Sequence, residues 1–304
     1  MNRSILSLAI VLFAGPAVAA ADDLEDALQN LKAAEAKKDV AQVKKLAVAI
    51  HEMTCETIAT PAPQNADEKE AWTNRVDYAK SVQQFAENTL WITAAQAPPA
   101  TLVDLVSTLE QLNPKSKFLM NAYGPYIHAL NQTGAASKVP AIAERALANF
   151  PDNTDLLLVM ADTALNRKQN DRAAGYATRL VAAFNQRSRP EGVSDAEWQR
   201  VRSTALGRGY WIAGVIHGET GKHAAADKEL RAALPLIKGN DAMTGAALFY
   251  LGMANYQLGK MTLNKARVLE GAKFSEEAGK IEGPFAERAW RNAMAMKTEA
   301  GTMR

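Results

Sequence analysis

The sequence lacks the features that mark several classes of protein. It has one cysteine, so no disulfide can form within the chain. The formal charge is only +2 and no block of lysine and arginine occurs, which argues against a nucleic-acid partner. Runs of β-branched residues are almost absent, whereas alanine is abundant and proline and glycine fall mostly between periodic segments. Because 48% of the residues are hydrophobic, we expect an all-helical protein with an ordinary core.

Motifs of catalysis and metal binding are also missing. The sequence contains no G-x-S-x-G, no Walker loop and no dinucleotide-binding fingerprint after a strand. Its histidines are scattered, without the spacing of metal ligands: His51, His128, His217 and His223. We therefore expect no cofactor, no metal and no enzymatic activity. Cys55 lies in an apolar helical stretch and is predicted to be a buried structural thiol; the alternative is a reactive thiol, which no sequence neighbour activates.

The first twenty residues have the pattern of a secretory signal peptide. Arg3 precedes the apolar run from Ile5 to Phe13, Gly15-Pro16 breaks that run, and Ala17-Val18-Ala19 has the form of a cleavage site. The apolar run is too short to span a bilayer comfortably. We expect residues 1–20 to be removed and the mature protein, without a membrane span, to be exported to the periplasm of a Gram-negative bacterium.

Residues 21–115 have helical periodicity interrupted by proline. Helices are predicted over 21–37, from Val40 with Asp39 as its cap, over 68–96 and over 101–112. The interruptions are Pro61-Ala62-Pro63, Ala97-Pro98-Pro99 and Asn113-Pro114. These helices are predicted to form hairpins with a faint repeat signature.

A clearer repeat follows over residues 116–283. Ile127 and Ala161 are 34 residues apart, Ala161 and Gly214 are 53 apart, and Gly214 and Gly252 are 38 apart. Polar insertions between the units, at 185–197 and 238–241, explain the longer intervals. Gly-Lys turns are predicted at Gly221-Lys222 and Gly259-Lys260, and Gly124-Pro125 is predicted to interrupt a helix.

Residues 120–280 resemble the tetratricopeptide repeat family in four degenerate units, about half of the chain. The family pattern is W-x2-L-G-x2-Y, then A-x3-F, then P. The matching positions are Leu251-Gly252, Gly214, Ala161, Ala146, Ala173, Ala226, Ala233 and Pro151. The departures are Tyr or Leu for the Trp; His217, Asn255 and Ala164 for the Tyr; and Ala or Leu for the Phe. The resemblance implies an all-α α-solenoid of antiparallel helix pairs, wound as a right-handed superhelix and closed by a C-terminal capping helix over 284–304.

The resemblance also implies a concave binding face formed by the first helix of each unit. Projected onto this chain, that face contains Asn121, His128, Asn131, Gln132, Asp155, Asp162, Asn166, Arg208, Trp211, Glu219, Phe249, Tyr250, Tyr256 and Gln257. Amides and aromatic rings suit an extended peptide or a glycan. The alternative is that Trp211, Phe249 and Tyr250 pack between adjacent units.

These observations lead to three hypotheses about function. The first is a non-enzymatic scaffold that binds a protein segment or assembles components of the cell envelope. The second is a periplasmic protein that binds a small ligand or glycan in the aromatic and amide groove, and the third is an enzyme on a helical scaffold. The partner and the oligomeric state stay open at this point.

Overall fold

The computed structural model describes the backbone of residues 16–303 and the side chains of residues 23–303. Within that range it contains 13 α-helices and no strand, and consecutive helices pack in pairs, which confirms the all-α helical-repeat architecture. Of the predicted signal peptide, residues 1–15 lie outside the described range and residues 16–20 are described only as helical backbone.

The chain divides into two compact units, the first ending at Ala136 and the second beginning at Ser137. The described helices of the first unit are α1 (Pro16–Ala36), α2 (Val40–Ala59), α3 (Ala66–Ala95), α4 (Pro99–Leu112) and α5 (Leu119–Gln132). Because α5 packs on α4 and α3, the division falls after α5 and not at the predicted 115–116 boundary. It separates the two helices of the predicted repeat at 120–151.

The second unit continues the alternation after a short 3-10 turn. Its helices are α6 (Val139–Ala146), α7 (Thr154–Asn166), α8 (Asn170–Gln186), α9 (Asp195–Glu219), α10 (His223–Ala233), α11 (Asp241–Met261), α12 (Lys265–Gly279) and α13 (Ala286–Thr302). Helices α7, α9, α11 and α13 contact one another in that order, and α8, α10 and α12 each pack against their neighbours in the chain. The first helices of successive pairs therefore form one continuous layer.

The same turn recurs at five places among the residues that the structure describes. A residue with left-handed backbone ends the turn, with φ between 51° and 74°, at Lys38, Gly134, Lys168, Gly221 and Leu263. In each case the N–H of the following residue donates to the carbonyl five positions earlier, at 2.8–3.0 Å. This is the bond pattern that closes a Schellman helix end. The recurring turn is a structural signature of the repeat, and the first of the five lies in the weakly patterned N-terminal region.

The predicted turn at Gly259-Lys260 is wrong. Helix α11 continues to Met261 and the left-handed residue is Leu263. Gly259 serves instead for close approach, because a Cβ there would lie 2.7 Å from Val268 Cγ2 and 2.8 Å from Val268 N. The left-handed residues of the last two turns, Gly221 and Leu263, are therefore 42 residues apart. Helix α11 extends about one helical turn further beyond Gly252 than α9 extends beyond Gly214.

The predicted interruption at Gly124-Pro125 is also wrong, because α5 runs without a break from Leu119 to Gln132. Pro125 removes one backbone donor from the helix. The neighbouring Tyr123 and Tyr126 are buried, so this stretch of α5 faces the core.

Candidate functional site

The predicted binding face is divided between the two units. Asn121, His128, Asn131 and Gln132 lie on α5 in the first unit, where all four side chains are exposed. His128 Nε2 and the Gln132 amide nitrogen are 3.0 Å apart, one helical turn from each other. The remaining predicted residues belong to the second unit.

In the second unit, Arg208 and Trp211 lie on α9 and contact α7 and α11, which are the first helices of the neighbouring pairs. Arg208 pairs with Asp162 on α7, with Nη2 2.6 Å from Oδ1. Its guanidinium also lies 4.8 Å from the ring centroid of Trp211, one turn along α9. Trp211 Nε1 donates to the carbonyl of Met243 on α11 at 2.8 Å. These side chains therefore join α7, α9 and α11, and half-buried Trp211 has a packing role as well as an accessible edge.

Two predicted tyrosines on α11, Tyr250 and Tyr256, also connect the first helices of neighbouring pairs. The Tyr250 hydroxyl donates to Glu219 Oε1 on α9 at 3.0 Å, and the Tyr256 hydroxyl bonds to Glu299 on α13. Burial, followed by the bond to Glu219, raises the pKa of Tyr250 above its ordinary value. The bond to Glu299 is the main cause of the raised pKa of Tyr256. Both tyrosines thus stabilise the layer through neutral hydroxyls bonded to carboxylates.

The other predicted residues of this unit differ in exposure. Phe249 is only 3% exposed, and its ring centroid lies 4.9 Å from that of Phe285, so Phe249 packs between α11 and the segment before α13. Asp155 and Asn166 lie on α7 and are exposed at the surface, and Gln257 is half-buried on α11.

A cluster of charged side chains surrounds Asn255, which stands where the repeat pattern has an aromatic residue. Asn255 is fully buried, and its amide nitrogen donates to Asp227 Oδ1 at 2.6 Å. Arg231 and Arg267 reach both residues, with Arg267 Nη2 3.0 Å from Asp227 Oδ2. This cluster holds α10, α11 and α12 together and is mutually satisfied, which makes it a structural feature.

An open groove that the sequence did not predict lies in the first unit. It encloses about 870 Å³ between the end of α1, the start of α2, the end of α3 and the start of α4. Its apolar lining includes Val43, Ile92, Ala97 and Pro98; Val43 is fully buried and Ile92 is 37% exposed. The volume falls within the range of binding pockets for small molecules and side chains.

Charges of both signs border this groove. Lys44 Nζ lies 2.7 Å from Asp104 Oδ1 and 2.8 Å from Oδ2, which joins α2 to α4 across the groove. Glu35 and Lys38 stand at the end formed by the α1–α2 turn. The lining residues include no aromatic ring, histidine or cysteine. This chemistry suits the burial of an aliphatic group.

The groove escaped sequence reasoning because its lining comes from two separated stretches, 35–44 and 92–104. Each stretch has the pattern of an ordinary helix end, and only the packing of α2 against α3 and α4 brings them together. The one available signal was the cluster Ala97-Pro98-Pro99, which leaves an apolar, uncapped helix start at Pro98.

The prediction of a buried Cys55 is wrong. Its side chain is exposed, and its sulfur lies 3.3 Å from His51 Nε2. The i, i+4 spacing on α2 was present in the sequence, but the apolar positions of the same helix obscured it.

Among the residues that the structure describes, no three side chains of His, Cys, Asp or Glu converge closely enough to hold a metal ion. No helix in the same residues combines the length and apolar character that crossing a bilayer requires.

No protein-family model matches the chain, and no curated protein matches its sequence.

Proposed function

We propose that the protein is an exported, non-enzymatic helical-repeat scaffold of tetratricopeptide type that binds a protein segment. The observation that carries this proposal is the recurring left-handed turn, which joins the two helices within each pair. Helical-repeat arrays present long surfaces to protein partners. The 34 residues between Gly134 and Lys168 equal the tetratricopeptide period, and the contacts within the α7–α9–α11–α13 layer support the same type of packing.

We assign the docking site to the α2–α4 groove and its occupant to an extended segment with aliphatic side chains. Ile92, Ala97 and Pro98 offer apolar contact without an aromatic ring, which favours a peptide over a glycan. The two basic and two acidic residues at the rim balance in charge, so the segment that fits best is uncharged where it enters the groove.

A selection from displayed random peptides, followed by fluorescence titration of the enriched sequences, tests this function. Ile92→Glu should weaken binding by tenfold or more, about 1.4 kcal/mol, because it places a charge against the bound aliphatic group. Val201→Glu is the matched control, since Val201 is an exposed aliphatic residue on α9 in the other unit.

Three results would contradict the proposal in different ways. Enriched peptides without aliphatic residues would contradict the assigned occupant. Binding that survives Ile92→Glu but is lost with Trp211→Ala would move the site to the face predicted from the repeat pattern. Selective binding to a glycan array, with no peptide enriched, would favour the ligand-binding alternative.

A further inference from the structure

Cys55, His51 and Gln83 form a cluster that the scaffold function does not use. Cys55 Sγ lies 3.3 Å from His51 Nε2, and the other ring nitrogen of His51, Nδ1, lies 2.9 Å from the Gln83 amide nitrogen. Gln83 belongs to α3, whereas His51 and Cys55 lie one turn apart on α2. The sulfur is exposed and His51 is half-buried.

This geometry meets the criteria for an activated nucleophile. A thiol stands within reach of a base, and a third side chain from another helix orients that base. In one state, Gln83 donates to Nδ1 and the proton on Nε2 points at the sulfur. A half-turn of the amide brings its oxygen to Nδ1, where it accepts the N–H of an imidazolium. In the first orientation Nε2–H donates to the sulfur, whereas the second orientation also holds the neutral Nδ1–H tautomer, in which Nε2 is free to act as the base.

We propose that Cys55 is a site of S-thiolation that reacts with disulfides, and that His51 and Gln83 position and assist the thiol. With the Gln83 amide oxygen accepting from Nδ1–H, His51 Nε2 is unprotonated and takes the thiol proton, and the thiolate attacks one sulfur of a disulfide R–S–S–R. A new S–S bond forms to Cys55, the old S–S bond breaks, and the departing thiolate takes the proton from His51. The reaction converts one protein thiol and one disulfide into a mixed disulfide and one free thiol.

The product should persist until an external thiol removes it. Cys55 is the single cysteine of the sequence, so no second thiol in the same chain can displace the attached group. This differs from a dithiol oxidoreductase, in which a neighbouring cysteine resolves the mixed disulfide. The site is therefore one of modification and does not by itself turn over.

The rate of reaction with an aromatic disulfide reagent at neutral pH tests the proposal. An unassisted thiol is only a few per cent ionised at that pH, whereas His51 stands within reach to take the thiol proton as the sulfur attacks. We expect the native protein to react about tenfold faster than His51→Ala. Oxidised glutathione should add one glutathionyl group per chain by intact-mass spectrometry, and Cys55→Ser should add none.

Two comparisons separate assistance from mere exposure. The first moves the thiol to another exposed position of α2, in Cys55→Ser combined with Glu52→Cys, where the cysteine should react at the slow rate. The second compares Gln83→Leu, which should slow the reaction, with Gln83→Glu, which should preserve it because a carboxylate accepts the Nδ1–H. Equal rates for the native protein, His51→Ala and the relocated cysteine would overturn the proposal.

Discussion

Replacing Gly271 by alanine should weaken the second unit, because helices α11 and α12 approach closely at this position. A Cβ on Gly271 would stand 2.7 Å from the carbonyl oxygen of Gly252 and 2.8 Å from the backbone nitrogen of Tyr256. Both are backbone atoms, so the helices must separate, and overpacking of this kind costs up to about 3 kcal/mol. The higher helix propensity of alanine returns about 1 kcal/mol. We expect a net loss of about 2 kcal/mol in the free energy of unfolding.

Gly175→Ala is the matched control. Gly175 lies inside α8 in the same unit, and no atom stands within 4 Å of the position that a Cβ would occupy there. The variant should gain about 0.5–1 kcal/mol from helix propensity alone. Urea denaturation followed by far-ultraviolet circular dichroism measures both. Equal or greater stability of Gly271→Ala relative to Gly175→Ala would refute the close α11–α12 contact.

Three further predictions follow from polar and aromatic contacts. Asn255→Leu should lower the free energy of unfolding by about 2 kcal/mol, because half-buried Asp227 and the two arginines lose their hydrogen bonds to the buried amide; a neutral effect in urea denaturation would contradict the role of this cluster. The Tyr78 hydroxyl on α3 donates to Glu25 on α1, and this bond raises the pKa of Tyr78 to about 12. The contribution of the bond to stability is therefore present below pH 10.0 and is lost as the pH rises towards 12. In an ultraviolet absorbance titration, Tyr78→Phe should remove one tyrosine that ionises near pH 12, and the number of tyrosines that ionise near pH 10 should not change. Trp211→Ala should cost about 2 kcal/mol, because the ring is half-buried between helices; unchanged thermal stability would identify Trp211 as a free surface residue.

Local signals in the sequence were enough to predict several helix boundaries in the first unit. Pro61 and Pro63 follow the end of α2 at Ala59, Pro99 opens α4, and Asp39 caps α2 as expected. Each of these signals acts within a few residues, through a missing donor or a side chain bonded to a nearby N–H. Such features do not depend on the rest of the fold.

Glycine was harder to interpret, because it meets two different needs. Gly221 adopts the left-handed backbone that its turn requires, as predicted. Gly259, in the same Gly-Lys sequence, is helical and allows α12 to approach. The two roles look alike in the sequence, and only the partner helix distinguishes them.

The candidate sites depended on contacts between distant residues and were the least predictable. Gln83 reaches His51 across 32 positions, and Lys44 reaches Asp104 across 60. The residues of the predicted face differ in solvent exposure: Phe249 is buried in packing, whereas Asn131 is exposed. Periodicity identifies the face of a helix but does not determine which neighbour covers it.

Hydrogen–deuterium exchange of the protein with and without an enriched peptide tests the central proposal most directly. A segment docked in the α2–α4 groove should slow exchange in residues 35–44 and 92–104, and Ile92→Glu should abolish that protection. Protection confined to α9 and α11, with none around the groove, would contradict the assignment and return the site to the face predicted from the repeat pattern.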